Sequence, residues 1–142
     1  MKIRPIILCG GEGTRLWQKS TNNEPKQFIN FGGWNLFEKT LKRIKGPLFD
    51  YPIISTNVKY LKKIKFYLKK NKFNKYRIVL EPAKRNTGPA VLSAALVPDI
   101  PNKQPLLFLP SDHLLEKNNV FNKNLIKNSK YLNNKNIFLF GI

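Results

Sequence analysis

The stretch "LCGGEGTRLW", Leu8 to Trp17, decides how the chain folds. Gly10, Gly11 and Gly13 crowd together, Thr14 and Arg15 follow at once, and the apolar run Ile6–Cys9 leads in. An apolar run that breaks into glycines reads as a buried strand opening into a loop. Without a Cβ to keep a ligand away, Gly10, Gly11 and Gly13 can turn backbone N–H groups toward an anion. Thr14 adds a hydroxyl donor, and Arg15 adds a fork suited to phosphate oxygens. Neither standard phosphate loop is present. A Walker A loop needs a Lys after its last glycine, and a dinucleotide fingerprint started at Gly11 meets Leu16 where its third glycine belongs.

Outward from this loop, strands and helices alternate. Ile3–Cys9 reads as the first strand. Asn35 caps a helix over Leu36–Lys45, with Phe37, Leu41 and Ile44 on one face and Gly46-Pro47 as its stop. Pro52–Ser55 is a second strand. A helix from Asn57 follows, with Val58, Leu61, Ile64 and Leu68 at helical spacing and lysines on the other face. Tyr76–Leu80 is a third strand, Gly88–Leu96 a helix of small residues, and Pro105–Leu109 a fourth strand. Phe121–Leu132 reads as a helix and Ile137–Phe140 as a fifth strand. The pattern implies one α/β domain over residues 1–142, a doubly wound and mostly parallel sheet. In such sheets ligands lie outside the carboxyl ends of the strands. There "GGEGTR" follows strand one, "EPAKRNTG" strand three and "SDH" strand four.

Composition narrows the class. A chain of 142 residues with 42% hydrophobic and 12% aromatic residues is long and apolar enough to bury a core. Its apolar runs are too short to cross a bilayer, and Met1–Pro5 leads into no signal-peptide core, so a soluble cytoplasmic protein is expected. The single Cys9 ends an apolar run and reads as a buried structural thiol. The net charge of +18 raises a nucleic-acid hypothesis. Against it, the excess is mostly Lys, densest over Tyr60–Arg77, where the helical pattern makes it a solvated face. The arginines suited to base and phosphate forks are only Arg4, Arg15, Arg43, Arg77 and Arg85.

Four motifs occur in order: "GGEGTRLW", "PKQF" (Pro25–Phe28), "EPAKRNTGPA" (Glu81–Ala90) and "LPSDH" (Leu109–His113). With this set the whole chain resembles the sugar-1-phosphate nucleotidyltransferases, specifically the mannose-1-phosphate guanylyltransferases. The resemblance implies a Rossmann-like core and a guanylyl transfer from GTP to mannose 1-phosphate, giving GDP-mannose and pyrophosphate. It places Leu8, Gly10 and Gly11 against the nucleotide and Gly13, Thr14 and Arg15 along its triphosphate. Lys26 matches the lysine that neutralises the reacting phosphates, so Arg15 and Lys26 carry the catalysis. Asp112 matches the carboxylate that holds Mg²⁺, a hard cation suited to oxygen. A helix N-cap is the plain alternative for Asp112. A phosphate nucleophile is already anionic and needs no general base, so positioning and cations do the work.

Guanine offers two adjacent N–H donors, which one carboxylate accepts together; Glu81 is the candidate base reader, with Asn86 and Thr87 for the remaining base edge or the ribose. Arg85 is open between a phosphate partner and a prop for its loop. His113 stays outside the chemistry. Two other readings remain: a UTP- or dTTP-dependent relative acting on glucose 1-phosphate, and a non-catalytic nucleotide- or nucleic-acid-binding module.

Two departures from the family pattern matter. The family continues its first loop as W-P-L-S-R, whereas Trp17-Gln18-Lys19-Ser20-Thr21 stands here, and Lys19 offers charge without fork geometry. The family pattern also carries a sugar-binding part, a second metal-binding Asp and a β-helical tail beyond "FLFGI". The chain is expected to be a fragment or a truncated product. An open edge at Ile137–Phe140 would favour self-association or cover by a complementing half.

Overall fold

The computed structural model describes residues 2–11, 25–81, 87–98, 100–132 and 136–140. Four strands, β1 (Arg4–Cys9), β2 (Ile53–Asn57), β3 (Arg77–Glu81) and β4 (Leu106–Pro110), form one sheet in the order β3-β2-β1-β4. All the pairings are parallel, with Leu8 opposite Ser55 on one side and Pro110 on the other. The glycine loop therefore leaves the middle of the sheet, flanked by the ends of β2 and β4.

Both faces are covered, and β1 is apolar from Pro5 to Cys9. On one face α1 (Leu36–Arg43), α2 (Leu61–Lys70) and α4 (Asn118–Ser129) pack a core around Ile7, Cys9, Phe28, Phe37, Leu41, Ile54, Ile64, Leu68, Leu109 and Leu125. On the other, α3 (Thr87–Ala95) sets Ala94 against Ile6 and Ile53. Side chains alternate across the sheet, so Ile6 and Ile7 feed opposite cores and both are fully buried.

Local signals behave as their chemistry requires. Asn35 is extended, and its Oδ1 accepts the Glu38 N–H at 2.8 Å, satisfying one of the free donors of α1. Gly46 adopts φ +121°, a conformation open to glycine and hostile to other residues, and α1 ends at Arg43, two residues before the expected Lys45. Asn57 caps a 3₁₀ turn over Val58–Tyr60, its Oδ1 accepting from the Lys59 N–H, before α2 begins.

The expected fifth strand at Ile137–Phe140 is not formed. Residues 136–140 carry no strand pairing, with Ile137 90% and Leu139 91% exposed, and the Phe140 ring lies against the Phe121 ring of α4, at 5.6 Å between centroids. The reason lies in cover. α3 lies over β1, β2 and β3, and Leu106 and Phe108 on that side of β4 are only partly buried. A strand still further out would gain ladder bonds while leaving its apolar side chains in water.

Candidate active site

The "PKQF" segment is held at three levels. Pro25 has φ −64° and opens a 3₁₀ turn over Lys26–Phe28. Phe28 plunges into the core, edge-on to Phe37 at 5.6 Å and stacked with Tyr67 at 6.0 Å. Gln27 is buried and donates from Nε2 to the Gly11 carbonyl at 3.1 Å, tying the turn to the start of the glycine loop. With its neighbours fixed, Lys26 is left projecting outward.

Its Nζ lies 3.5 Å from Asp112 Oδ2. Asp112 arrives from β4: the Ser111 N–H donates to the Leu8 carbonyl at 3.1 Å, which carries the β1–β4 ladder one step past the strand. Arg43 of α1 steadies this turn from beneath, donating from Nη2 to the His113 carbonyl at 3.0 Å. Burial pushes the Arg43 guanidinium below its ordinary pKa, and its Nε has no partner. Lys26 and Asp112 face a hollow of about 330 Å³, completed by Leu36, His113, Leu114 and Leu115. A larger hollow of about 470 Å³ at the start of α4, lined by residues 116–120, contains none of the motif residues. The pair makes the former the chemically relevant one. The N-cap of α4 is Lys117, so Asp112 does not serve as that cap.

On the other flank of the glycine loop stands Glu81, the last residue of β3. Its carboxylate accepts the Ser55 hydroxyl at 2.7 Å and lies across Gly10, where Oε1 would be 2.9 Å from any added Cβ. Gly10 was expected to be bare for a ligand; the space above it is also taken by the end of the Glu81 side chain. Gly11 faces open space. Beneath the loop, Cys9 is fully buried, and desolvation pushes its thiol up to about 12 against hydrogen bonds from Ser111 and Gln27. It remains protonated, a structural group.

Of the sequence-derived site residues, Leu8, Gly10, Gly11, Lys26, Glu81 and Asp112 gather at one edge of the sheet, and Thr87 begins α3, exposed. Gly13, Thr14, Arg15, Arg85 and Asn86, with Lys19 and Thr21 of the departure, lie outside the described residues. Sequence reasoning passed over Gln27 and Ser55. Gln27 stood inside a quoted motif, and Ser55 was the one polar residue ending the run "PIIS", where a buried hydroxyl demands a partner. Among the described residues no cluster of three or more metal-ligating side chains forms, and no helix is long and apolar enough to cross a membrane.

A parallel sheet flanked by helices, with glycines, a lysine and two carboxylates at its carboxyl edge, defines an α/β protein of the doubly wound class. Residues 4–142 match the nucleotidyl transferase family model, and the chain belongs to that family. It is 34% identical over 140 residues to the alginate biosynthesis protein AlgA of Pseudomonas fluorescens, covering 97% of this chain and 29% of that one. With mannose-1-phosphate guanylyltransferase 2 of Escherichia coli O157:H7 it shares 37% identity over 146 residues, 99% of this chain and 30% of the relative. The chain thus spans about 30% of the length of these curated relatives. A solved structure from Thermus thermophilus, described as a mannose-1-phosphate geranyltransferase, superimposes with a TM-score of 0.71 at 28% identity. The match covers 92% of this chain and 38% of that one.

Proposed function

We propose that this chain forms the nucleotide side of an enzyme that transfers a guanylyl group from GTP to mannose 1-phosphate, releasing GDP-mannose and pyrophosphate. The reading puts the protein in the cytoplasm, where GTP is made and used. The observation that carries it is the Lys26–Asp112 pair, 3.5 Å apart and partly exposed on both sides, at the same edge of the sheet as Gly10 and Gly11. An ion pair this loose contributes little to stability. It is well suited to separating and engaging a phosphate with the lysine and a cation with the carboxylate.

In the reaction a phosphate oxygen of mannose 1-phosphate forms a bond to the α-phosphorus of GTP, and the bond from that phosphorus to the bridging oxygen of pyrophosphate breaks. No proton needs to be abstracted from the nucleophile. The barrier is the approach of two anions, and Lys26 with Arg15 lowers it by opposing the charge that builds on the phosphoryl oxygens. The Gly13 N–H, the Thr14 hydroxyl and Arg15 lie along the triphosphate, and Leu8, Gly10 and Gly11 lie against the nucleotide. Glu81 accepts the paired donors of guanine, with Asn86 and Thr87 completing its surroundings.

The donor set fits Mg²⁺ that arrives with the nucleotide. Asp112 offers one accessible carboxylate beside a lysine, which suits an ion that keeps several waters and takes its other ligands from phosphate. Asp112 would hold it, and it would supply further neutralisation of the triphosphate.

The test is the melting temperature of the chain with Mg²⁺ and GTP, UTP or dTTP. A ligand at about 100 times its Kd adds about 2.7 kcal/mol, a shift of several degrees for a domain of this size. The largest shift is expected with GTP. A larger shift with UTP or dTTP would overturn the guanylyl reading in favour of another base.

A further inference from the structure

Ser55 is fully buried in β2, level with Leu8 of β1 and Val79 of β3. A hydroxyl in that position, at the end of an otherwise apolar run, is unfavourable unless it finds an acceptor. The acceptor is Glu81 Oε1, at 2.7 Å. Glu81 lies one pairing step beyond Leu80, opposite Asn57, and its carboxylate leans inward over β1. Its two oxygens stand 2.9 and 3.0 Å from where a Cβ on Gly10 would be. The carboxylate is therefore fixed twice: by a hydrogen bond from below and by a backbone with no side chain to push it away.

This fixing leaves a specific capacity. An ionised carboxylate has about four lone-pair sites, and the Ser55 hydroxyl takes one. Among the described residues the Ser55 side chain donates to it, and a carboxylate can accept a planar pair of N–H donors side by side. A carboxylate free to rotate would spend part of that binding in losing its rotamer freedom. One that Ser55 already holds does not.

We infer that Ser55 is a positioning residue for base choice: it holds the Glu81 carboxylate over Gly10 in the orientation that accepts the two donors of guanine. This rests on the guanylyl reading above and deepens it. The role belongs to the base flank of the loop and is independent of Lys26 and Asp112, which stand on the phosphate flank.

The experiment measures, by calorimetry on the 142-residue chain with Mg²⁺, the affinities for GTP, for ITP and for inorganic triphosphate. ITP lacks the exocyclic amino group and so loses one donor to the carboxylate. In the parent, GTP is expected to bind roughly 10–100-fold tighter than ITP, the worth of one charge-assisted hydrogen bond. In Ser55→Ala that preference should fall to within about threefold, because the carboxylate is no longer held for the second donor. Affinity for inorganic triphosphate should stay within about twofold, since the phosphate flank is untouched. General damage to the fold would move all three ligands together.

Gly10→Ala provides an independent route. The added Cβ displaces the flexible end of Glu81 rather than any backbone, so the GTP preference over ITP should again be lost. If Ser55→Ala fails to fold, Ser55→Cys, close in size but a weak donor, decides the matter. An unchanged preference in the folded variants overturns the inference and leaves the guanylyl reading intact. A parent chain that binds GTP and ITP equally, or prefers UTP, overturns both.

Discussion

The two ends of the sheet use the same chemistry, a cation beside a carboxylate, in opposite ways. At the amino end Arg4 is 3% exposed, and each guanidinium nitrogen has an acceptor. Nη2 donates to Asp50 at 2.7 Å, Nη1 to the Tyr51 carbonyl at 2.8 Å, and Nε to Gln104 at 3.1 Å. The guanidinium also stacks on the Tyr51 ring, 3.6 Å from its centroid. At the carboxyl end Lys26 and Asp112 stand 3.5 Å apart, 26% and 36% exposed. Arginine's planar fork locks a junction, while lysine's single mobile charge can leave one partner for another. The amino end is a clasp that closes β1 onto the loops before β2 and β4. The carboxyl end holds a looser, partly exposed pair, and under the proposed function it exchanges these internal partners for a ligand.

The largest expected effect comes from removing the lysine. Lys26→Ala should lower turnover in the active form of the protein by roughly 10²–10³, the loss of one preorganised group opposing developing charge. Its unfolding free energy should stay within about 0.5 kcal/mol of the parent, as for a surface residue in a loose pair. Steady-state kinetics and urea denaturation, run side by side, check both. Turnover within about threefold of the parent would mean that the phosphates lie elsewhere.

The opposite substitution should break the comparison from the other end. Arg4→Ala removes a buried cation and takes the guanidinium donors from Gln104, the Tyr51 carbonyl and Asp50, which keeps those of Gln104 and the Tyr51 N–H. Breaking a fully buried pair costs about 3–5 kcal/mol, and Asp50 is 29% exposed, so a loss of about 2–3 kcal/mol is expected from the denaturation midpoint. Affinity of the folded chain for Mg²⁺–GTP should be unchanged. A variant that kept its stability and lost nucleotide binding would invert the assignment of the two ends.

The placement of Gly10, Lys26 and Asp112 at the carboxyl end was legible in the sequence because these parts announce themselves locally. Glycines in a row after an apolar strand, a lysine locked between Pro25 and Gln27, and an aspartate after "LLFLP" each carry a short-range signal. Asn35 and Gly46 were readable for the same reason: capping and positive φ are properties of single residues. The clasp was not legible. Arg4 reaches partners 46 and 100 positions away, and nothing near it in the chain distinguishes it from a surface arginine. Ser55 and Glu81, 26 positions apart, meet only through the β2–β3 register. The strand expected at Ile137–Phe140 fails for the converse reason: its local pattern is sound, but strand formation depends on cover that a neighbouring layer must provide.

The smallest expected effect sharpens the contrast through acid. Burial opposes ionisation of Asp50, but hydrogen bonds from Gln104 and the Tyr51 N–H, with the Arg4 charge, outweigh it and hold its pKa below the ordinary value of 3.8. Between the folded and unfolded pKa values the unfolded chain therefore binds more protons than the native one, and stability falls as pH falls. The stabilisation is fully present above the unfolded value and is lost as pH drops through the folded one. Asp50→Asn has no charge to lose, so at pH 6 the parent should melt higher than the variant. That gap should narrow below about pH 4 and close in stronger acid. Differencing parent and variant cancels the titration of the other carboxylates, which both chains share. Melting curves at half-unit pH steps check it. A gap that stayed constant down to pH 2 would show that Asp50 contributes by shape and neutral hydrogen bonding alone, and the amino end would then be a polar clasp rather than an ionic one.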